Sequence, residues 1–526
     1  MTTIRAIGLA VVLVAGAFGV VLASVPSDLF DLERHLVPKE LALHGAALAG
    51  ILLLLPGRGT VRLGVVEGLL AAAVCWTAFS ALTSTNHWLA LRAAGVSVSA
   101  FAIFGIARAI RHERAARWVL LGITAAVFTG TLTGLAQAYG VRWEALATER
   151  PPGGTFGNRN FLAHFEVIGL PALLLLTFEA RSRVGRWTGV VALGLTVGIV
   201  VLTRSRAAWL AAVASLGAAT MLAFLRARTW RAALPARHGR IAGAAVALGI
   251  VGTILIPNRL EWRSRSPYSD SLRDLVNYRE GSGRARVVQY GNSLALVAKD
   301  PVFGVGPGNW FVHYPRVATP GDPSYAGFDP IPTNPWPSSD WIAFLAERGP
   351  IGALLLALAG AAALVVAWRR AGSGDLALEG RALAASGVLV AALVAGLFDA
   401  VLLLPAPAYL VAALTGLLLP ETRPMVTWEP QGRRRVARLV LPPVVLGLLV
   451  TSSLGQLAAI RLATRTATRA TLERATRYDP GNHRLRLRLA SRGSCAERLP
   501  HARAARRLLP FHPAPRQLVA RCDNRT

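Results

Sequence analysis

The chain has 526 residues, 53% of them hydrophobic and only 16% charged, against roughly 25% charged in soluble domains. With a positive mean hydropathy, this balance excludes a soluble globular domain and describes a lipid-embedded protein. The net charge of +29 does not point to nucleic acid, because the basic residues lie in short clusters between long apolar runs, the arrangement of topology signals.

A helix needs about 20 apolar residues to cross the hydrocarbon core. Thirteen runs qualify, at about 6–24, 41–56, 62–83, 88–108, 116–138, 161–179, 186–203, 206–226, 240–256, 341–368, 381–404, 406–420 and 437–458. The expected fold is an all-α polytopic membrane protein of about 13 helices (12–14), with a long, partly helical outward loop and a small helical C-terminal domain. Its parts are a bundle over 1–256, the loop over 257–340, further membrane helices over 341–458 and a tail over 461–526. The first run lacks a small-residue cleavage site and reads as a retained helix. Cys75, inside an apolar run, reads as a small core residue.

With a cytoplasmic N-terminus, every inward loop is basic, including Arg58 and Arg62; Arg108, Arg111, Arg114 and Arg117; Arg181, Arg183 and Arg186; Arg369, Arg370 and Arg381; and Arg423, Arg433, Arg434 and Arg435. Outward loops, such as Val25 to Glu40, are acidic or mixed. Arginines that nevertheless fall on the outward side, namely Arg159, Arg204, Arg206, Arg284 and Arg286, run against the rule, and a phosphate ligand would hold them there.

In chain order, the first outward segment with chemistry is Gly153-Gly154-Thr155-Phe156-Gly157-Asn158-Arg159-Asn160, which suits either a ligand-facing backbone or a turn with an Asn N-cap. Arg204 and Arg206 follow at the head of the eighth span, where a guanidinium grips a diphosphate or snorkels to lipid phosphate. The long loop carries Arg284 and Arg286, then an amphipathic stretch over 287–299, then Gly304, Gly306 and Gly308, a tight excursion for a ligand or another loop. It is rich in rings that suit sugar faces or an interface belt: Trp262, Tyr268, Tyr278, Tyr290, Trp310, Phe311, Tyr314, Tyr325, Phe328, Trp336 and Trp341. Asp340 stands at the start of the tenth span, with Glu347 two turns further in. Glu67, His164, Glu166 and Asp399 are further ionisable residues inside apolar runs, and His164 is the one singled out as functional.

Together these residues resemble one family pattern. Asn158-Arg159-Asn160 precedes a span, Ser205-Arg206 heads a later one, and Arg286 is followed fifteen residues on by Pro301-x-x-Gly304-x-Gly306. The closing helix then reads Leu345-Ala346-Glu347-Arg348-Gly349. Over about 150–370 the chain is similar to the O-antigen ligase and Wzy polymerase superfamily, which includes O-linked oligosaccharyltransferases.

The resemblance implies a glycosyltransferase of the bacterial inner membrane that moves a glycan from undecaprenyl diphosphate to a hydroxyl on a glycan, lipid or protein acceptor in the periplasm. Arg206 and Arg286 take the positions of the two diphosphate-binding arginines, with Arg204 and Arg284 close enough to be confused with them. Asp340 is the first candidate base, because Ser338-Ser339 replaces the family's usual His-Asn. Asn158, Asn160, His164, Asn309, Trp310, His313 and Glu347 are expected around the substrate. No cofactor, metal or nucleic acid is expected. A flippase for the same lipid-linked glycan and a non-catalytic envelope scaffold are the alternatives.

The tail places Pro480 and Pro513 33 residues apart, resembling a degenerate tetratricopeptide pair, against a usual spacing of about 34. Cys495 and Cys522 suit a disulfide if the tail is periplasmic.

Overall fold

The computed structural model describes residues 3–55, 61–110, 113–148, 150–233, 235–262, 264, 266–274, 277, 279–322, 335–419, 424–429 and 431–523. Arg58, Arg111, Tyr278, Tyr325, Phe328 and Arg423, and the side chain of Arg435, lie outside the described residues.

The first bundle comprises α1 (Thr3–Leu22), α2 (Glu33–Leu54), α3 (Val65–Leu82), α4 (His87–Ala109), α5 (Glu113–Ala138), α6 (Arg159–Phe178), α7 (Arg183–Thr203), α8 (Arg206–Leu225), a short α9 (Arg228–Ala233) and α10 (Ala236–Leu255). The loop that follows holds α11 (Pro267–Arg273), α12 (Gly281–Lys299) and α13 (Trp310–His313). Then come α14 (Asp340–Arg370), α15 (Leu376–Phe398), α16 (Pro405–Leu418) and α17 (Gly432–Leu462), and a tail of α18 (Arg469–Tyr478), α19 (His483–Ala490), α20 (Cys495–Leu508) and α21 (Pro513–Asp523). Among the described residues, twelve helices are long and apolar enough to cross a membrane, and α16 is a shorter apolar one. The molecule is an all-α polytopic membrane protein.

Successive membrane helices connect at alternate faces, so the 256–339 loop and the tail share one face, here the loop face. Contacts agree: Asn86, between α3 and α4, donates to the carbonyl of Leu508 in the tail at 3.4 Å. Trp310, Phe311 and Tyr314 of the loop pack with Leu509, and Phe30, Val37 and Ile460 at the bundle's end pack with Leu472 and Leu485. The last two helices of the tail, α20 and α21, are tied to each other by a disulfide between Cys495 and Cys522, with Cα atoms 5.3 Å apart.

Three features differ from the sequence expectation. The second span begins at Glu33, not near residue 41, and Arg34, His35, Lys39 and Glu40 are buried in its first turns. These charges are tolerated because protein, not lipid, surrounds them: Lys39 Nζ donates to the Val21 and Ala23 carbonyls at the end of α1, at 2.8 and 2.9 Å. Glu40 accepts both carboxylate contacts of Arg92 Nε at 2.9 and 2.8 Å. Cys75 is exposed on α3, not in a core, because a lipid-facing surface is as apolar as an interior. On the opposite face, Val61–Leu63 (β1) pairs antiparallel with Val426–Trp428 (β2), a small ribbon joining the α2–α3 and α16–α17 connections.

Two elements position the site. α6 is the most buried of the membrane helices, so its loop-face end, with Asn158 and Asn160 half-buried, is set on a fixed base. α14 is broken at Gly349 (φ 69°, ψ 175°), ahead of Pro350. Carbonyls at the break are taken by the glycine-rich loop, with Val305 N on Ala346 O at 3.0 Å and Gly306 N on Glu347 O at 2.9 Å. Ser80 donates to the same Glu347 carbonyl at 2.9 Å. A Cβ at Gly349 would fall 2.1 Å from the Val302 carbonyl, and one at Gly304 2.5 Å from that of Ala346. The two glycine motifs are therefore one interlocked structural unit.

Candidate functional site

The loop face holds a polar cavity of about 620 Å³, within the range of about 300–1,000 Å³ typical of ligand sites. Its wall combines Arg34 from α2, Arg150, Asn158 and Asn160 around the start of α6, Arg286 and Gln289 from α12, Ser338, and Asp399 after α15. Helix geometry explains this convergence. Asn158 caps α6, accepting from Asn160 N at 2.9 Å, and Asn160 donates to Asp399 Oδ2 at 3.0 Å. Gln289 Oε1 holds the Ser338 amide at 2.7 Å, and Tyr290 donates to the Ser338 carbonyl at 2.6 Å. The segment before α14 is thus strapped to α12.

Electrostatically the cavity is unbalanced. Three guanidiniums line it against the carboxylates of Asp31 and Asp399. The Nε atoms of Arg34 and Arg286 are both buried without a hydrogen-bond partner. A buried guanidinium donor left unpaired is costly, so the arrangement suits a ligand that brings anionic oxygens. Arg206 and Arg286 also share a cleft of about 20 Å³ with Asp274 and Phe398. There Arg206 donates through Nη1 to the Asp274 carbonyl and through Nη2 to the Ser282 hydroxyl at 2.6 Å. Ser282 itself lines the larger cavity, so Arg206 stands one side chain behind it.

The structure separates the arginines that sequence leaves confusable. Arg284 and Arg286 lie two residues apart on α12, about 200° around the helix, and Arg284 is exposed away from the cavity. Arg204 closes α7 in the left-handed region, φ 54°. It donates to Ser271 Oγ at 2.9 Å, and its guanidinium stacks on Trp262 at 4.8 Å, a ring that Arg159 also approaches at 5.3 Å. Arg204 and Arg159 thus brace the loop.

Several expected site residues lie outside the cavity wall. Asp340 is fully buried and lines neither cavity wall; its oxygens accept from Val401 N at 2.9 Å and Leu402 N at 2.8 Å, fixing the turn into α16. Fully buried and absent from the cavity wall, it is not placed to take a proton from a ligand there. Asn309 exchanges hydrogen bonds with the Asn86 backbone at 2.7 and 3.1 Å. Trp310 is buried on Tyr314, ring centroids 4.4 Å apart, with its Nε1 on Ser293 Oγ. His313 bonds Thr85 at 2.8 Å, and burial beside Arg316 lowers its pKa to about 4. Glu347 pairs with Arg348 at 3.4 Å at the α14 break. His164 is fully buried beneath the cavity, its Nε2 3.5 Å from Ser205 Oγ and its Nδ1 unpartnered.

Arg34, Arg150 and Gln289 are cavity residues that the sequence reading passes over. The signal that singles out Arg159, a basic side chain on a short outward connection, applies equally to Arg34 and Arg150. Gln289 has no such signal.

Fold and site together define a multi-pass membrane protein with a polar, arginine-lined chamber under its long loop. Residues 190–357 match the family model described as O-antigen ligase, which supports glycan transfer of the ligase or polymerase type in general. The matched stretch runs from α7 into α14 and holds Arg206, Arg286 and both glycine motifs; it is shorter than the 150–370 of the sequence resemblance and leaves out Asn158 and Asn160. No curated protein matches the chain.

Proposed function

We propose that this protein transfers a glycan from a polyprenyl diphosphate, of the undecaprenyl type, to a hydroxyl acceptor on the periplasmic face of the inner membrane. The observation that carries the proposal is the unpartnered Nε of Arg286, buried in a cavity with Arg34 and Arg150.

In this reading the loop face is periplasmic and the N-terminus cytoplasmic. Support comes from the opposite face, which collects Arg62, Arg108, Arg181, Arg183 and Arg369. A disulfide in the tail on the loop face also suits an oxidising compartment.

The acceptor oxygen attacks the anomeric carbon, the bond from that carbon to the diphosphate oxygen breaks, and the diphosphate leaves with the electron pair. Arg286, Arg34 and Arg150 neutralise the charge that develops there, and Arg206 supports them through Ser282. The acceptor proton passes to Asp399, the carboxylate that Asn160 orients beside Ser338 in the cavity wall. Ser338, where the family usually has His, then serves as a hydrogen-bonding wall.

The test is glycan profiling of a deletion strain complemented with Arg286→Ala. The variant inserts normally and accumulates lipid-linked precursor; glycan of wild-type length and attachment would sink the proposal.

A further inference from the structure

A second cavity, of about 290 Å³, lies beside the first on the loop face. Asp31, Leu32, Pro335 and Trp336 line both, so a single wall separates them. The floor of the second cavity comes from α2, α4 and α14, and its roof from the tail turn Asp479–Arg484. That turn is seated closely, since a Cβ at Gly481 would fall 2.2 Å from Trp88 Cβ.

The chemistry of the two cavities differs. Each arginine of the second is charge-paired with a carboxylate, Arg92 with Glu40 at 2.8 Å, Arg484 with Glu33 at 3.0 Å and Arg348 with Glu347 at 3.4 Å, although Arg348 Nε has no hydrogen-bond partner. Little positive field is left for a phosphate. His483 lines the cavity with a buried Nδ1 that has no partner. Burial, with Arg484 and His512 nearby, lowers its pKa to about 3, so the imidazole is a neutral hydrogen-bonding group. Three rings, Trp88, Phe311 and Trp336, complete the lining. Apolar ring faces beside paired carboxylates and a neutral imidazole suit the C–H faces and hydroxyls of a sugar.

Building on the glycan-transfer reading above, we propose that this second cavity is the acceptor subsite, that it takes an uncharged saccharide, and that the tail turn 479–484 forms its roof. A saccharide held there presents a hydroxyl past Trp336 toward Ser338 and Asp399. The tail is then part of the enzyme's acceptor selection.

The test places the photo-crosslinking residue p-benzoylphenylalanine at Trp88, which is 50% exposed, in the full chain in native membranes. A control carries it at Trp187, 58% exposed on α7. Irradiation followed by mass spectrometry of the adducts is expected to give saccharide at 88 and none at 187. A peptide adduct, a phospholipid adduct alone, or no adduct at 88 would overturn the proposal. In parallel, Trp88→Ala and His483→Ala should each raise the acceptor concentration for half-maximal transfer about ten-fold, one lost contact of about 1.4 kcal/mol, with Trp88→Tyr restoring it and bound lipid-linked donor unchanged. Normal product from Arg286→Ala refutes the donor reading; a non-saccharide adduct at 88 refutes the subsite alone.

Discussion

Two polar clusters on the loop face look alike in sequence, each combining arginine, carboxylate and nearby glycines, yet the structure uses them in opposite ways. Around Gly304–Gly308 and Leu345–Gly349, the carbonyls freed by the break in α14 are taken up by the loop amides and by Ser80, and Arg348 meets the carboxylate of Glu347 through Nη1 although its Nε is unpartnered. Around Arg286, two guanidinium Nε atoms are buried with nothing to bond, in a cavity large enough for a ligand. A guanidinium paired with its own neighbouring carboxylate, as Arg348 is, holds a fold together, whereas guanidiniums with no ion pair beside a cavity are where an anionic ligand belongs. Motif strength alone does not separate the two cases, because the glycine-rich motif is the more conspicuous in sequence.

The sharpest way to break this comparison is Arg286→Ala. Loss of a charged donor that acts on the leaving group should cut turnover about 100- to 1,000-fold, measured as transfer per unit of folded protein, with the thermal midpoint unchanged. A change confined to stability would make Arg286 another structural group.

Next in size is the contrast between two carboxylates. Asp399→Asn should lower turnover about 100-fold at constant thermal midpoint, as expected when a general base is lost. Asp340→Asn should instead lower the thermal midpoint, since it replaces one of the two acceptor oxygens by an NH2 group that faces the N–H of Val401 or Leu402. If the two effects were exchanged, the base would be Asp340 and the cavity would be misassigned.

These outcomes bear on what sequence can show. The membrane spans were legible because apolar length is set by bilayer thickness and needs no knowledge of neighbours. Where a residue's role depends on a distant partner, sequence was silent: the first turns of α2 bury charge because groups such as Glu40 meet partners like Arg92, 52 positions away, and Asp340 is held by amides 61 and 62 positions on. The three-residue strands were invisible for the same reason. Arg206 and Arg286 were legible as outward arginines, but their shared cleft required the fold.

Gly349→Ala tests the cluster at the break in α14. The added Cβ would sit 2.1 Å from the Val302 carbonyl at a φ of 69°, so either the glycine-rich loop or α14 must move. A loss of more than about 2 kcal/mol is expected from strain and lost hydrogen bonds, read as a lower thermal midpoint in nanodiscs. Activity per folded molecule should change far less than for Arg286→Ala, because Gly349 does not line the cavity and the residues that do are unchanged.

The smallest expected effect is also the most discriminating between readings of α12. If the helix begins at Gly281, as observed, Arg284 faces solvent and Arg286 faces the cavity, and Arg284→Ala should leave turnover within about two-fold and stability within about 0.5 kcal/mol, the usual range for a surface substitution. Were the segment extended, residues two apart would share a face, and both arginines would contribute to diphosphate binding. Comparing Arg284→Ala with Arg286→Ala in one glycan-transfer assay therefore measures the conformation of α12 around the donor: equal losses require an extended segment, and a loss confined to Arg286 requires the helix.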